Sequence, residues 1–214
     1  MPHPRIVFAG NRPIGLQCLC LLLESDIRPI GLMVADGKQA ECGDAMRALV
    51  PNIPVLSGKT FRESEGIRLL QSLTPDYILS VHFPYILPKA IIDLPRIGTL
   101  NLHPAYLPYN RGWHTPTWAI VEGTPYGATL HWIDEGIDTG DIALQKQIPV
   151  LTTDTAHSLY LRALKTELEI LSEAIPMLIL GSLPRIPQVG TGTVHRKSDI
   201  ESLRRLDHLT MSEG

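Results

Sequence analysis

Two rhythms of apolar and polar positions divide the chain. Residues 5–10 (RIVFAG) form a β-branched apolar run ending on glycine, which predicts a first strand buried on both faces. Leu16, Leu19 and Leu23 then recur at helical spacing. Residues 27–35 predict a second strand, Val55 a short third, residues 63–73 a helix and residues 77–81 another buried strand. A short helix over 87–94 and a strand over 98–102 follow. Strands alternating with helices at this pace imply parallel β-α-β units, hence an α/β fold with a doubly wound, mostly parallel sheet. Such sheets place their sites at the carboxyl ends of the strands.

Beyond His114 the rhythm changes. Trp118 to Val121 fall on a helix, and residues 128–133 alternate as a strand. The loop 134–141 (DEGIDTGD) joins that strand to residues 142–148, as a short antiparallel pair. Residues 155–180 form the longest helical segment, with Asp154 the expected N-cap. Leu161, Leu164, Leu168, Leu171 and Ile175 make its expected packing stripe, and Pro176 kinks the helix or marks its last turn. From Gly181 onward Gly, Pro and Thr accumulate, as in an irregular tail with one strand pair. The expected organisation is a catalytic domain over 1–180 and a C-terminal tail over 181–214 that serves dimerisation.

At 214 residues and 44 % hydrophobic, the chain suffices for one domain with a sizeable core. Lys plus Arg number 19 against 22 Asp plus Glu, a net charge of −3 that disfavours nucleic acid as a partner. Three cysteines without metal-ligand spacing point to a reduced, cytoplasmic protein without a zinc module. No signal peptide or membrane span is expected. Two glycine motifs prove to be decoys. Ser57-Gly58-Lys59-Thr60 lacks the leading glycine of a phosphate loop, because position 53 is Ile53. Gly10-Asn-Arg-Pro-Ile-Gly15 has Arg12 where a dinucleotide fingerprint needs glycine, and Pro13 removes an amide donor. The acidic loop fails the EF-hand pattern, since its sixth and twelfth positions are Thr139 and Gln145.

The informative stretch is residues 100–112 (LNLHPAYLPYNRG). Period-two geometry points Asn101 and His103 to one side of a strand, and Pro104 keeps His103 extended. A carboxamide donor beside an imidazole suits acyl transfer, one stabilising an oxyanion while the other moves a proton. Asp134, Glu135, Asp138 and Asp141 are the carboxylates available to orient the imidazole. His82, His114 and His131 are further candidates, and each also suits a core or surface place.

Residues 101–112, followed by residues 134–142 (DEGIDTGDI), resemble two ordered signatures of the formyltransferases that use 10-formyltetrahydrofolate, with Ala105 replacing the usual serine of the first. The resemblance spans residues 5–180 and is weakest over 35–75. It implies a Rossmann-like fold, a catalytic triad of Asn101, His103 and Asp138, and no metal. Residues 80–88 resemble the segment lining the folate pterin pocket, which implies cofactor contacts from His82, Phe83, Tyr85, Ile86 and Leu87, with Asp134 and Gly136 opposite. Asp134 and Asp141 are otherwise loop architecture.

The acceptor is read from what surrounds these motifs. Methionyl-tRNA formyltransferases carry an added RNA-binding domain, whereas 34 residues follow Leu180 here, with five Lys/Arg and four Asp/Glu. Gly10 to Gly15 does not match the phosphate grip of the glycinamide ribonucleotide branch. Residues 110–120 (NRGWHTPTWAI), residues 10–16 and the tail 193–199 (TVHRKSD) look most like the sugar N-formyltransferases. That resemblance implies a dTDP-linked amino-dideoxy sugar as acceptor, a homodimer, and substrate contacts from Arg12, Tyr106, Arg111, Trp113, His114 and Thr115. Trp113 suits a sugar face, a nucleobase or the core; Arg111 suits a phosphate or an acidic neighbour. The alternatives are hydrolysis of 10-formyltetrahydrofolate, formylation of another small amine, and a non-catalytic binding subunit.

Overall fold

The computed structural model describes residues 3–204. Its order is β1 (Ile6–Gly10), α1 (Arg12–Glu24), β2 (Gly31–Val34), α2 (Gly43–Leu49), β3 (Val55–Ser57), α3 (Ser64–Ser72), β4 (Tyr77–Val81), α4 (Lys89–Ile92) and β5 (Gly98–His103). Then come β6 (Arg111–Gly112), α5 (Thr115–Glu122), β7 (Tyr126–Trp132), β8 (Ile142–Ile148), α6 (Ala156–Leu180) and β9 (Val194–His195). Seven strands form one sheet in the order β3-β2-β1-β4-β5-β7-β8. The first five are parallel, and β7 and β8 run antiparallel at one side. The expected α/β, doubly wound, mostly parallel architecture is therefore present.

The central strands are buried along their whole length, as their unbroken apolar runs require. Phe8, Leu19, Leu22, Tyr77 and Leu100 belong to one apolar cluster with Ile170, Leu171 and Ala174 of α6. Val7, Ile78, Phe61, Leu70 and Ile91 fill the other face. Each fully buried aliphatic or aromatic side chain contributes about 2 kcal/mol through removal of apolar surface from water. Winding outward from β1 on one side and from β4 on the other leaves a crevice between their carboxyl ends, where the Asn11 N–H donates to Val81 O over 3.2 Å.

The structure differs from the periodicity reading in four places. Helix α2 was not anticipated, because its seven residues bury only Met46. Thr155, not Asp154, caps α6, in a reciprocal box with Ser158. Asp154 instead accepts hydrogen bonds from Leu151 N–H and Ser158 Oγ and pairs with Arg162. The buried stripe of α6 runs through Leu159, Ala163, Ile170, Leu171, Ala174, Ile175 and Leu178, while Leu161 faces solvent. The tail does form a strand, but its partner is β6 in the loop after β5, not another part of the tail.

A carboxylate interrupts that stripe. Glu167 is fully buried and both its oxygens lie 3.0 Å from His82 Nε2, while the Tyr160 hydroxyl sits 3.3 Å from His82 Nδ1. Glu167→Ala would leave His82 Nε2 without its carboxylate partner beneath the helix. It is expected to lower unfolding stability by about 3 kcal/mol, measured by urea denaturation.

Candidate active site

β5 is where the sheet changes direction, parallel to β4 on one side and antiparallel to β7 on the other. Asn101 and His103 stand two residues apart on it and pair in register with His131 and Thr129 of β7. Register thus brings a second imidazole beside the first pair, and the rings of His103 and His131 meet edge to face at 6.2 Å. The Nδ1 of His131 lies 2.8 Å from Trp132 O, which assigns its proton to that nitrogen. Its Nε2 then accepts one N–H of Asn101 at 3.2 Å. The second N–H of the Asn101 carboxamide remains for a ligand.

Asp138 closes the cluster from the loop between β7 and β8. Its Oδ2 accepts the Gly112 N–H at 2.8 Å and lies 3.4 Å from His103 Nε2; its Oδ1 lies 3.5 Å from His131 Nε2. Burial alone would raise its carboxyl, but the two imidazoles and the Gly112 N–H hold it well below the usual carboxylate range. Burial pushes His103 below the ordinary imidazole value, against the opposing pull of Asp138 and the Asn110 carbonyl. The stable pairing is a neutral imidazole beside an ionised carboxylate. His103 Nε2 is buried without a hydrogen-bond partner, placed to exchange a proton at the foot of the cleft.

The loop reaches this geometry by local devices. Asp134 Oδ1 accepts both the Gly136 N–H at 3.0 Å and the Thr139 hydroxyl at 2.6 Å. The sequence places two glycines here as though for unusual dihedrals, yet the positive φ falls on Asp138 itself, at 52°. Gly140 is needed for another reason: a Cβ there would collide with Trp132 O.

A cleft of about 600 Å³ opens above the cluster, lined by Asn101 and His103, by Arg12 and His82 at the crevice, and by Trp113 and Lys197 at the mouth. A family model described as formyl transferase matches residues 28–175, well over half the chain. The chain belongs to the formyl transferase family. Among this family member's relatives is the methionyl-tRNA formyltransferase of Geobacillus sp. (strain WCH70), 38 % identical over 195 residues, covering 86 % of this chain and 60 % of the relative. The chain spans between about 60 and 68 % of the length of such curated relatives. Among solved structures, a sugar N-formyltransferase from Shewanella sp. FDAARGOS_354 shares the fold, with a TM-score of 0.81, 20 % identity and coverage of 96 % of this chain and 82 % of that one. The formyltransferase PseJ from Anoxybacillus kamchatkensis, solved with UDP-4,6-dideoxy-4-formamido-L-AltNAc and tetrahydrofolate, is 27 % identical with a TM-score of 0.64, covering 83 % of this chain and 92 % of that one.

Within this family member the expected contact residues divide. Arg12, His82, Trp113, His114 and Thr115 line the cleft. Trp113 is 41 % exposed, so it is not a core aromatic, and Lys197 lies over its ring at 5.1 Å. Thr115, also expected to bind acceptor, donates its hydroxyl proton to Pro104 O at 2.6 Å. Tyr106 and Arg111 lie outside the cleft lining. Arg111, expected at a phosphate or an acidic neighbour, donates from Nε and Nη2 to Gln188 Oε1 at 3.2 and 2.7 Å, pairing with a neutral amide. Phe83, Tyr85 and Leu87 turn into the apolar cluster around Phe61, while Ile86 is exposed with its carbonyl held by Arg62. Only His82 and Pro84 of that segment reach the cleft wall. Glu167 and Gln188 were not among the expected site residues, and His131 was one of three further histidine candidates with no role assigned. For His131 the signal was its alternation within β7 opposite Asn101; Glu167 offered only a charge on a buried helix face, and Gln188, in the irregular segment after α6, offered none.

Among the described residues no group of three or more His, Cys, Asp or Glu could hold a metal, and no helix is long and apolar enough to cross a membrane.

Because its folded carboxyl lies below the ordinary value, Asp138 contributes stability that is complete above about pH 4 and is lost as pH falls through the folded value. The stability gap between wild type and Asp138→Asn is therefore expected to shrink between pH 7 and pH 3 in urea melts. A constant gap would contradict the ionised assignment.

Proposed function

We propose that the protein transfers a formyl group from 10-formyltetrahydrofolate to the amine of a nucleotide-linked amino sugar, such as a dTDP-4-amino-4,6-dideoxyhexose. The observation that carries this reading is the convergence of Asn101, His103 and Asp138 beneath one cleft at the carboxyl edge of the sheet. The residues present fit the donor: the buried His103 Nε2 lacks a hydrogen-bond partner, and His82 and Pro84 form a wall beside it. Phe83, Tyr85, Ile86, Leu87, Asp134 and Gly136 remain its proposed surroundings, supplied chiefly through backbone where their side chains are turned away.

When bound, the folate supplies an activated one-carbon acyl group. The free N–H of Asn101 donates to the oxygen that gains negative charge as the acceptor amine adds to the formyl carbon. His103, neutral because it is buried, accepts the proton that the amine loses, and Asp138 stabilises the resulting imidazolium. That proton passes to the departing folate nitrogen as its bond to the formyl carbon breaks, so the protein ends as it began.

Support for an anionic acceptor comes from the cleft's charge. Arg12, Lys38 and Lys197 line it, and Glu41, the facing acid, lies 3.8 Å from the Arg12 guanidinium. Trp113 beside these cations suits a sugar face or nucleobase. PseJ, with a UDP-linked formamido sugar in its structure, is a relative whose identity adds to this reading. A second reading, methionyl-tRNA as acceptor, has the curated relatives in its favour.

The test is to follow folate absorbance with 10-formyltetrahydrofolate alone, with a dTDP-amino sugar, and with methionyl-tRNA. Loss that requires the sugar is expected. Loss without any acceptor would instead indicate a hydrolase, loss with the tRNA alone would shift the acceptor, and binding without turnover would indicate a folate-binding subunit. Asn101→Ala is expected to lower kcat by about 10²–10³-fold and His103→Ala by about 10²–10⁴-fold, with folding unchanged by circular dichroism. Since burial depresses His103, the acid limb of kcat/KM is expected below about pH 6.5.

A further inference from the structure

We propose that Gln188, in the segment after α6, is a positioning residue that fixes the backbone of Asp138 and so aims its carboxylate at His103. The Nε2 of Gln188 donates to Asp138 O at 2.9 Å and to Gly140 O at 2.7 Å. Its Oε1 accepts both hydrogen bonds from Arg111. The carboxamide thus uses two donors and both lone pairs, leaving nothing to rotate for.

This clamp sits where the backbone needs one. Asp138 adopts φ 52°, a conformation that L side chains rarely hold unless the surroundings over-determine it. The other face of the clamp is Arg111, whose neighbour Gly112 gives its N–H to Asp138 Oδ2 at 2.8 Å. One glutamine therefore joins the main chain of the carboxylate to the strand that supplies the carboxylate's donor.

The segment carrying Gln188 is fastened on both sides of it. Ile186 exchanges two backbone hydrogen bonds with Ile142, at 2.8 and 3.0 Å, where β8 begins. Beyond Gln188, β9 pairs in parallel with β6, Val194 beside Arg111 and His195 beside Gly112. Thr193 Oγ1 accepts the Asn110 N–H at 2.8 Å, and His195 stacks on Trp118 with ring centroids 4.0 Å apart. Residues 186–195 form a strap across both loops of the site. A tail expected only to mediate dimerisation is built into the arrangement of the triad.

This inference rests on the proposed role of Asp138, so its test has one arm that does not need turnover. Gln188→Glu keeps the acceptors for Arg111, whose guanidinium pairs with the added charge, but removes both donors to the carbonyls. With the carboxylate no longer aimed at it, His103 loses a neighbouring anion that favours its protonated form. Its NMR titration midpoint is expected to fall by half a pH unit or more. In the activity arm, kcat is expected to fall about 10–100-fold with KM for both substrates within about two-fold of wild type.

A wild-type protein inactive with every acceptor would overturn the proposed function, while the His103 titration would still decide the role of Gln188. An unchanged His103 midpoint in folded Gln188→Glu would overturn the clamp, as would unchanged kcat in an active enzyme. Should Gln188→Glu not fold, Gln188→Met, similar in shape and lacking the carboxamide, carries the same two readouts. Failure of both variants to fold would overturn a positioning role in favour of a structural one.

Discussion

A carboxylate held largely out of water has to be compensated, and the surroundings of Asp138 are arranged around that need. The gain from a buried charge depends on the geometry of its donors, because its desolvation is costly and only close, aligned partners offset it. Here the donor is the Gly112 N–H after β5, and the imidazoles of His103 on β5 and His131 on β7 stand 3.4 and 3.5 Å from the carboxylate. The change from parallel to antiparallel pairing at β5 brings the two imidazoles into register. One consequence is a division of labour between histidines: His131 is tied through Nδ1 to a backbone carbonyl and serves Asn101, while His103 keeps Nε2 unbonded.

A second buried carboxylate shows the same rule applied to the opposite wall of the cleft. Glu167 on α6 meets His82 just beyond the end of β4, and Tyr160 continues the contact outward to Arg12, which donates to its hydroxyl over 3.3 Å. Buried carboxylate, imidazole, phenol and rim guanidinium therefore form a continuous column along one side of the cleft. It ties α6 to the crevice at the end of β1. The two polar groups share no residue.

Much of the fold was readable because the parallel strands are uninterrupted apolar runs and their helices carry regular leucines. The part of the site on β5 was readable too: Asn101 and His103 are two residues apart, and Pro104 marks the strand's end. Asp138 was harder. Four carboxylates in one loop are chemically equivalent on paper, and it was a family resemblance that separated them. What separates them physically is the left-handed backbone at Asp138 and a clamp from a residue 50 positions away. Gln188 lies among prolines and glycines with no periodic signal, so its partners emerge only from tertiary contact. Glu167 offered a faint sign, a charge inside an apolar stripe, yet nothing local to α6 reveals that His82 will meet it. Arg111 misled for a related reason: beside the catalytic motif a guanidinium looks like an anion binder, whereas its fork is taken by the strap.

The strap also sets when the site exists. Its pairing with β6 joins residues 83 positions apart, and closing a loop of that length costs entropy before any contact repays it. The large apolar clusters draw mainly on β1 to β5, β7, β8, α1, α3 and α6. The sheet can therefore consolidate while residues 186–195 are still finding their place. Detachment of that short, largely exposed segment is a smaller excursion than global unfolding. A population with an intact hydrophobic interior can thus contain members in which Asp138 is no longer held beside His103, and on warming that cluster would come apart before the helices lose their ellipticity.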